Sequence, residues 1–311
     1  MATGDVAGLD GWGADDLSDA LAAYGATRPH KWPGPDGNDA RAFFETRFRA
    51  ASLNVPPGRL TGYYEPAIPG SQKPTDDFGA ALYAAPVGLC ADRPWATRTE
   101  IEEGDLLRGL EIAYVADPVD AFLAQVQGSV RIALPGGRTL RLGYSGRNGH
   151  PYRSIGAELV ARTGVPATEM TAQTIRDWCR AHPADVAGLL RTNPSFVFFR
   201  RLDLPDETGP IGTAGVPVTA MRSLAVDPAH IPLGTPVWIE TLGPDPIRRL
   251  CIAQDTGSAI RGPQRGDLFC GTGEAAGRFA GSLNTPVRIT PLVPAAAPGN
   301  AVALTVNGGS V

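Results

Sequence analysis

Three aspartates in the last third of the chain stand where short apolar runs meet tight turns. Asp255 follows Leu250, Cys251, Ile252 and Ala253 and opens into Thr256-Gly257, while Asp267 precedes Leu268-Phe269. Asp227 follows Leu224, Ala225 and Val226 and precedes Pro228. Strand ends hold side chains rigidly, so this pattern suggests carboxyls fixed at the rim of a β-barrel. Such groups can exchange protons with a substrate lying across the barrel mouth. The plainer reading is turn chemistry, because an Asp side chain also caps neighbouring backbone N–H groups. Asp255-Thr256-Gly257 also resembles the triplet of an aspartic protease. That chemistry needs two aspartates sharing a proton, and the chain has no second Asp-Thr-Gly or Asp-Ser-Gly.

Other chemistries find little support. Cys90, Cys179, Cys251 and Cys270 form no CxxC and have no paired histidine, which argues against a zinc site. The aspartates lack the alternating ligand spacing of a calcium loop, so no metal and no cofactor are expected. Four buried free thiols are the simplest expectation, with a Cys251–Cys270 bridge across the barrel as the alternative. His30, His150, His182 and His230 are scattered, and no Ser-His-Asp arrangement can be read from them. Glu65, at the end of a strand, is expected to be a solvated charge.

The elements that must position these residues read as mainly β. The chain has 311 residues, of which 38 are Gly and 29 Pro, and 19% are charged. That balance favours many short strands and turns over a helix bundle. A net charge of −4 without any Lys/Arg stripe excludes a nucleic-acid surface. No apolar run reaches the roughly 18 residues that a membrane span needs. The first residues, MATGDVAGLDGWG, have neither the basic nor the apolar region of a signal peptide.

Helices are expected over 14–24, with Leu17, Leu21 and Tyr24 on one stripe, and from Asp39, with Phe43, Phe44 and Phe48 facing the core. A strand over 59–66 ends at Pro66, and its adjacent Tyr63 and Tyr64 must point to opposite faces. Residues 67–98 are rich in loops. An Asp-capped helix then passes at Gly128 into a hairpin turned by Pro135-Gly136-Gly137. Three more helices follow, then an aromatic strand over 195–202, and the chain is β again from about Pro217. The strands run through VRITPLV, and an edge strand is expected in the tail from Ala295, AAAPGNAVALTVNGGSV. This pattern predicts a barrel from both chain ends, 1–66 and 199–311, with 67–198 inserted as a smaller β-rich unit. A substrate groove is expected between them.

Six segments carry a family resemblance: TGYYEP (61–66), VQGS (126–129), YSGRNGHPYRSIG (144–156), NPSFVFFR (193–200), and those around Asp227 and Asp255–Asp267. Together they resemble the lytic murein transglycosylases of the A type, in matching order from Arg59 to Pro286. The C-terminal part looks like the family's three-aspartate domain. The resemblance implies a double-psi β-barrel with an inserted domain and a helical N-terminus. It implies cleavage of the β-1,4 bond between N-acetylmuramic acid and N-acetylglucosamine without water, which leaves a 1,6-anhydro end. By this match Asp267, in GDLFCG, is the acid/base, Asp255 the second aspartate and Asp227 the third. Thr61, Tyr63, Gln127, Ser129, Asn148, Tyr152 and Asp227 fall in matching segments as glycan-binding candidates.

The partners implied are peptidoglycan strands, met by a monomer on the periplasmic side of the cell envelope. Family members are usually exported, often as lipoproteins, although no lipid-modifiable Cys stands near this N-terminus. Two further readings stay open. One is an inverting glycoside hydrolase using Asp267 and Asp255, which needs carboxyls about 6.5–9.5 Å apart. The other is a wall-binding barrel without catalysis.

Overall fold

A computed structural model describes residues 2–90, 93–167 and 169–295. The tail expected to hold an edge strand lies outside these residues beyond Ala295. The chain divides into two compact units: residues 1–63, 207–271 and 282–311 form one, and 64–206 with 272–281 the other.

The first unit opens with β1 (Thr3–Gly4), α1 (Ser18–Thr27), α2 (Ala40–Arg47), β2 (Phe48–Ala51) and β3 (Gly58–Glu65). Helix α1 starts later than its apolar stripe suggested. Asp16 accepts from the Ser18 N–H at 3.0 Å, and a short 3-10 turn occupies Trp12–Ala14. Phe48 belongs to β2 and not to the preceding helix, because α2 ends at Arg47. The intervening elements are β4 (Ala67–Ser71), β5 (Ala80–Tyr83), α3 (Arg98–Glu103), β6 (Glu111–Val115), α4 (Pro118–Gln127), β7 (Ser129–Ala133), β8 (Thr139–Arg147), α5 (Ile155–Thr163), α6 (Ala172–Ala181), α7 (Val186–Arg191) and β9 (Val197–Leu202). The chain closes with β10 (Ser223–Val226), β11 (Pro236–Thr241), β12 (Arg248–Asp255), β13 (Arg265–Thr272), α8 (Gly273–Ser282) and β14 (Asn284–Pro294).

The barrel has six strands in the order β14-β11-β12-β10-β13-β3, and β3 pairs back onto β14 to close it. Closure removes the open edges that would otherwise template aggregation. Strands β10 and β12 run parallel, whereas β10 and β13 run antiparallel. Alternate residues face inward. Leu60, Leu224 and Ile289 crowd against Gly266, where an added Cβ would lie within 3.2–3.3 Å of each. The outer face is covered by the N-terminal segment. Trp12, Tyr24, Phe44 and Phe48 pack there on Trp238, Leu250, Ile252 and Leu292. Arg222 fixes this layer with two bonds to the Asp15 carboxylate, at 2.7 and 2.9 Å.

In the second unit a six-stranded sheet runs β5-β6-β4-β7-β8-β9. It curls until its edge strands meet through a parallel bridge between Ala84 and Phe199. The aromatic strand β9 therefore lies wholly here, paired with β8, and runs past the boundary expected at 199. Helix α4 begins where Asp117 accepts from the Val119 N–H at 2.7 Å. It ends at Gly128, whose φ of 77° is cheap only for glycine.

Candidate active site

Strand register gathers the two aspartates. On β10, Ala225 lies opposite Asp267 of β13 and also opposite Asp255 of β12. Directly opposed residues share a face, so the two carboxyls flank one small alanine, with their backbones about 10 Å apart. This row depends on a bulge. Leu224 faces Ala253 but Ala225 faces Asp255, which leaves Gln254 as the extra residue. The Gln254 amide is spent in the interior: Nε2 donates to Ala23 O at 3.0 Å and Thr27 Oγ1 at 3.1 Å. Thr61 and Tyr63 reach the same face from β3, the other neighbour of β13.

Asp267 accepts a hydrogen bond from Thr61 Oγ1, which in turn accepts from Arg265 Nη2 at 2.8 Å. Burial is the main reason that its carboxyl is pushed up to about 6, and the Asp255 charge adds to the rise. Thr61 and Arg265 pull the other way.

Asp255 is bound on every side. Oδ1 accepts from Thr213 N at 2.9 Å, Thr213 Oγ1 at 2.8 Å and Thr256 N at 2.9 Å. Oδ2 accepts from the Tyr63 hydroxyl at 2.9 Å. Three donors crowd Oδ1 and one holds Oδ2, so both oxygens of the carboxyl are pinned in orientation. Burial first, and then Asp255, hold the Tyr63 phenol well above its ordinary value, so it remains a neutral donor. The Tyr63 ring packs on Phe269 with centroids 5.3 Å apart. Gly212 lets the Thr213 loop approach, since a Cβ there would stand 2.7 Å from Gln254 O.

Asp227 has a different task. It takes the Ala229 N–H at 3.1 Å and the Gly262 N–H at 2.8 Å, tying its own turn to the loop ahead of β13. Burial opposes its charge, but these N–H groups, His230 and Arg261 outweigh it and hold the carboxyl below its usual range.

The remaining candidates lie in the second unit. Gln127 Oε1 accepts from Tyr64 N at 3.0 Å. Ser129 is buried at the start of β7. Asn148 is fully buried, with Nδ2 donating to Ala96 O and Pro194 O and Oδ1 accepting from Phe196 N, each at 2.8 Å. These bonds make it a staple of three loops. Tyr152 is half-buried, and burial raises its phenol.

One expectation changes. Glu65 is not a solvated charge: it is completely buried, accepting from Arg131 Nε at 2.6 Å, Arg141 Nη2 at 3.4 Å and Thr272 Oγ1 at 2.9 Å. Cys251 and Cys270 are buried free thiols, as the simplest reading had them, each pushed up to about 12, chiefly by burial, while Cys90 is only partly buried. Sequence reasoning missed Arg265 and Thr213. Arg265 stands two residues before Asp267 on one strand face, a period that could have exposed it. Thr213 sits in a loop without periodicity and gave no signal.

Fold and site together define a three-aspartate barrel carrying an inserted second unit. The same division emerges from family models: the MltA specific insert domain matches residues 59–200, and the 3D domain matches 222–293. The chain is 36% identical over 234 residues to membrane-bound lytic murein transglycosylase A of Vibrio cholerae, covering 71% of this chain and 61% of that one. It thus spans about three fifths of that relative's length. A membrane-bound lytic murein transglycosylase from Agrobacterium tumefaciens superposes with a TM-score of 0.81 at 32% identity, covering 94% of this chain and 98% of that one. Escherichia coli MltA, solved with bound chitohexaose, gives 0.72 at 33% identity, covering 84% and 80%. The chain belongs to the MltA family. Among the described residues no helix is long and apolar enough to cross a membrane.

Proposed function

We propose that this protein is a peptidoglycan lytic transglycosylase in which Asp267 alone serves first as acid and then as base. One observation carries the reading. Asp255 already accepts four hydrogen bonds, whereas Asp267 accepts one from Thr61 and is held at about 6. A raised, buried carboxyl beside a fixed negative charge is suited to carrying a proton.

Protonated Asp267 donates to the departing glycosidic oxygen as the bond to C1 breaks. The resulting carboxylate then accepts the proton of the muramic 6-hydroxyl as that oxygen bonds to C1, which closes the 1,6-anhydro ring. The proton enters and leaves on one side of the sugar, so no second carboxyl is required. The nucleophile is tethered to its own target, which gives it a large effective concentration. Asp255, held by Tyr63 and the Thr213 loop, helps to raise the Asp267 carboxyl. The bound-glycan structure of a relative supports a glycan strand as substrate. The names of the relatives support work at the cell envelope.

An inverting hydrolase would need Asp255 as the base for water. Both of its oxygens are already held by donors, three on Oδ1 and Tyr63 on Oδ2, which disfavours that reading. Digestion of purified peptidoglycan in heavy-oxygen water is the test. The expected muropeptides end in 1,6-anhydro-muramic acid without label, while heavy oxygen at C1 would replace this reading with the hydrolase. Asp267→Asn separates both from a barrel that only binds: it should keep murein binding and lose lysis. Appreciable clearing by that variant would sink the assignment.

A further inference from the structure

Two arginines share the face that carries Asp267. Arg265 and Asp267 stand two apart on β13, as Arg59 and Thr61 do on β3, so each pair points the same way. Arg265 Nη1 donates to Arg59 O at 3.3 Å and also to Gly266 O, and Nη2 donates to Thr61 Oγ1. The Arg59 side chain is steered from the other flank, where Nε donates to Asn284 Oδ1. The two guanidinium charges feel each other, in a chain whose net charge is −4.

Neither arginine forms an ion pair among the described residues, although Arg47, Arg98, Arg131, Arg176, Arg191 and Arg222 all do. Tuning of Asp267 accounts for Arg265, which lowers that carboxyl, but not for Arg59, which has no part in its shift. Asp267 is a counter-charge for Arg265, but Arg59 forms no ion pair among the described residues, and a carboxylate bound in the fork of the two arginines' N–H groups supplies one. Neutral sugar rings offer no such group. The peptide borne on the lactyl arm of muramic acid does.

We propose that Arg59 and Arg265 form a carboxylate subsite for the peptide stem of the muramic residue next to the cleaved bond. This deepens the transglycosylase reading and rests on it for the identity of the substrate. It makes the protein a reader of peptide-bearing glycan over bare glycan.

Binding to lysis-dead Asp267→Asn protein tests the subsite apart from the reaction, using purified glycan oligomers of equal length with and without peptide stems. The peptide-bearing oligomer should bind more tightly, with an advantage that shrinks as salt rises. Adding Arg59→Gln should weaken that oligomer roughly fivefold and leave the bare one unchanged, with partial recovery in Arg59→Lys. Arg59 is exposed, so these changes spare the fold. Equal loss on both oligomers, no loss on either, or no preference in Asp267→Asn protein would each overturn the subsite. Label at C1 in the heavy-oxygen digest would overturn the transglycosylase reading and leave this binding ratio standing.

Discussion

Asp267 sets up an opposition between stability and chemistry that single substitutions can expose. Its folded value of about 6 lies above the usual value of about 3.9. Between those values the folded protein keeps a proton that the unfolded chain has lost. Stability therefore falls as pH rises from about 4 to about 6, by roughly 3 kcal/mol in all, and stays lower above that window. Asp267→Asn, lacking the charge, should be more stable than the parent at pH 8 and about equal at pH 4, as urea unfolding would report. Parent kcat/KM should fall about tenfold per unit as pH rises above about 6, because the first step needs the protonated acid. Tyr63→Phe removes one of the four donors on Asp255 and nothing from Asp267. Steady-state kinetics should give roughly tenfold lower kcat with little change in KM.

At the scale of elements, the site is a matter of register. Were β12 paired regularly, with no bulge at Gln254, Gln254 and not Asp255 would stand opposite Ala225, and the row of two carboxyls would not exist. The buried Glu65 acts on β7 and β8 of the insert, through Arg131 and Arg141. Glu65→Gln removes the buried carboxylate that both guanidiniums share, and breaking a buried ion pair typically costs about 3–5 kcal/mol. Chemical denaturation should show a loss of that size, and an unchanged midpoint would refute the buried pairing.

For the whole molecule, the N-terminal helices are part of the barrel's structure. Phe48 is completely buried against Tyr24, Trp32 and Phe44 in the layer covering Leu250 and Ile252. Phe48→Ala should cost about 3–5 kcal/mol in denaturant titrations, while the pH profile of the remaining folded enzyme stays where it was.

The sequence by itself determined the mainly β class, the alternation of strand faces, the Asp-capped helix ending at Gly128, and Asp227, Asp255 and Asp267 as carboxyls at strand ends. These follow from local rules of turn chemistry, period and capping, which act within a few residues. Tertiary structure alone decided the rest, because the partners are far apart in sequence. It paired β9 with β8, buried Glu65 between two arginines, spent the Asn148 amide on three loops, and closed Thr213 and Tyr63 onto Asp255. Whether two aspartates twelve positions apart face each other depends on one bulged residue in a strand pairing. A difference of one residue in register turns a side chain to the opposite face of the sheet.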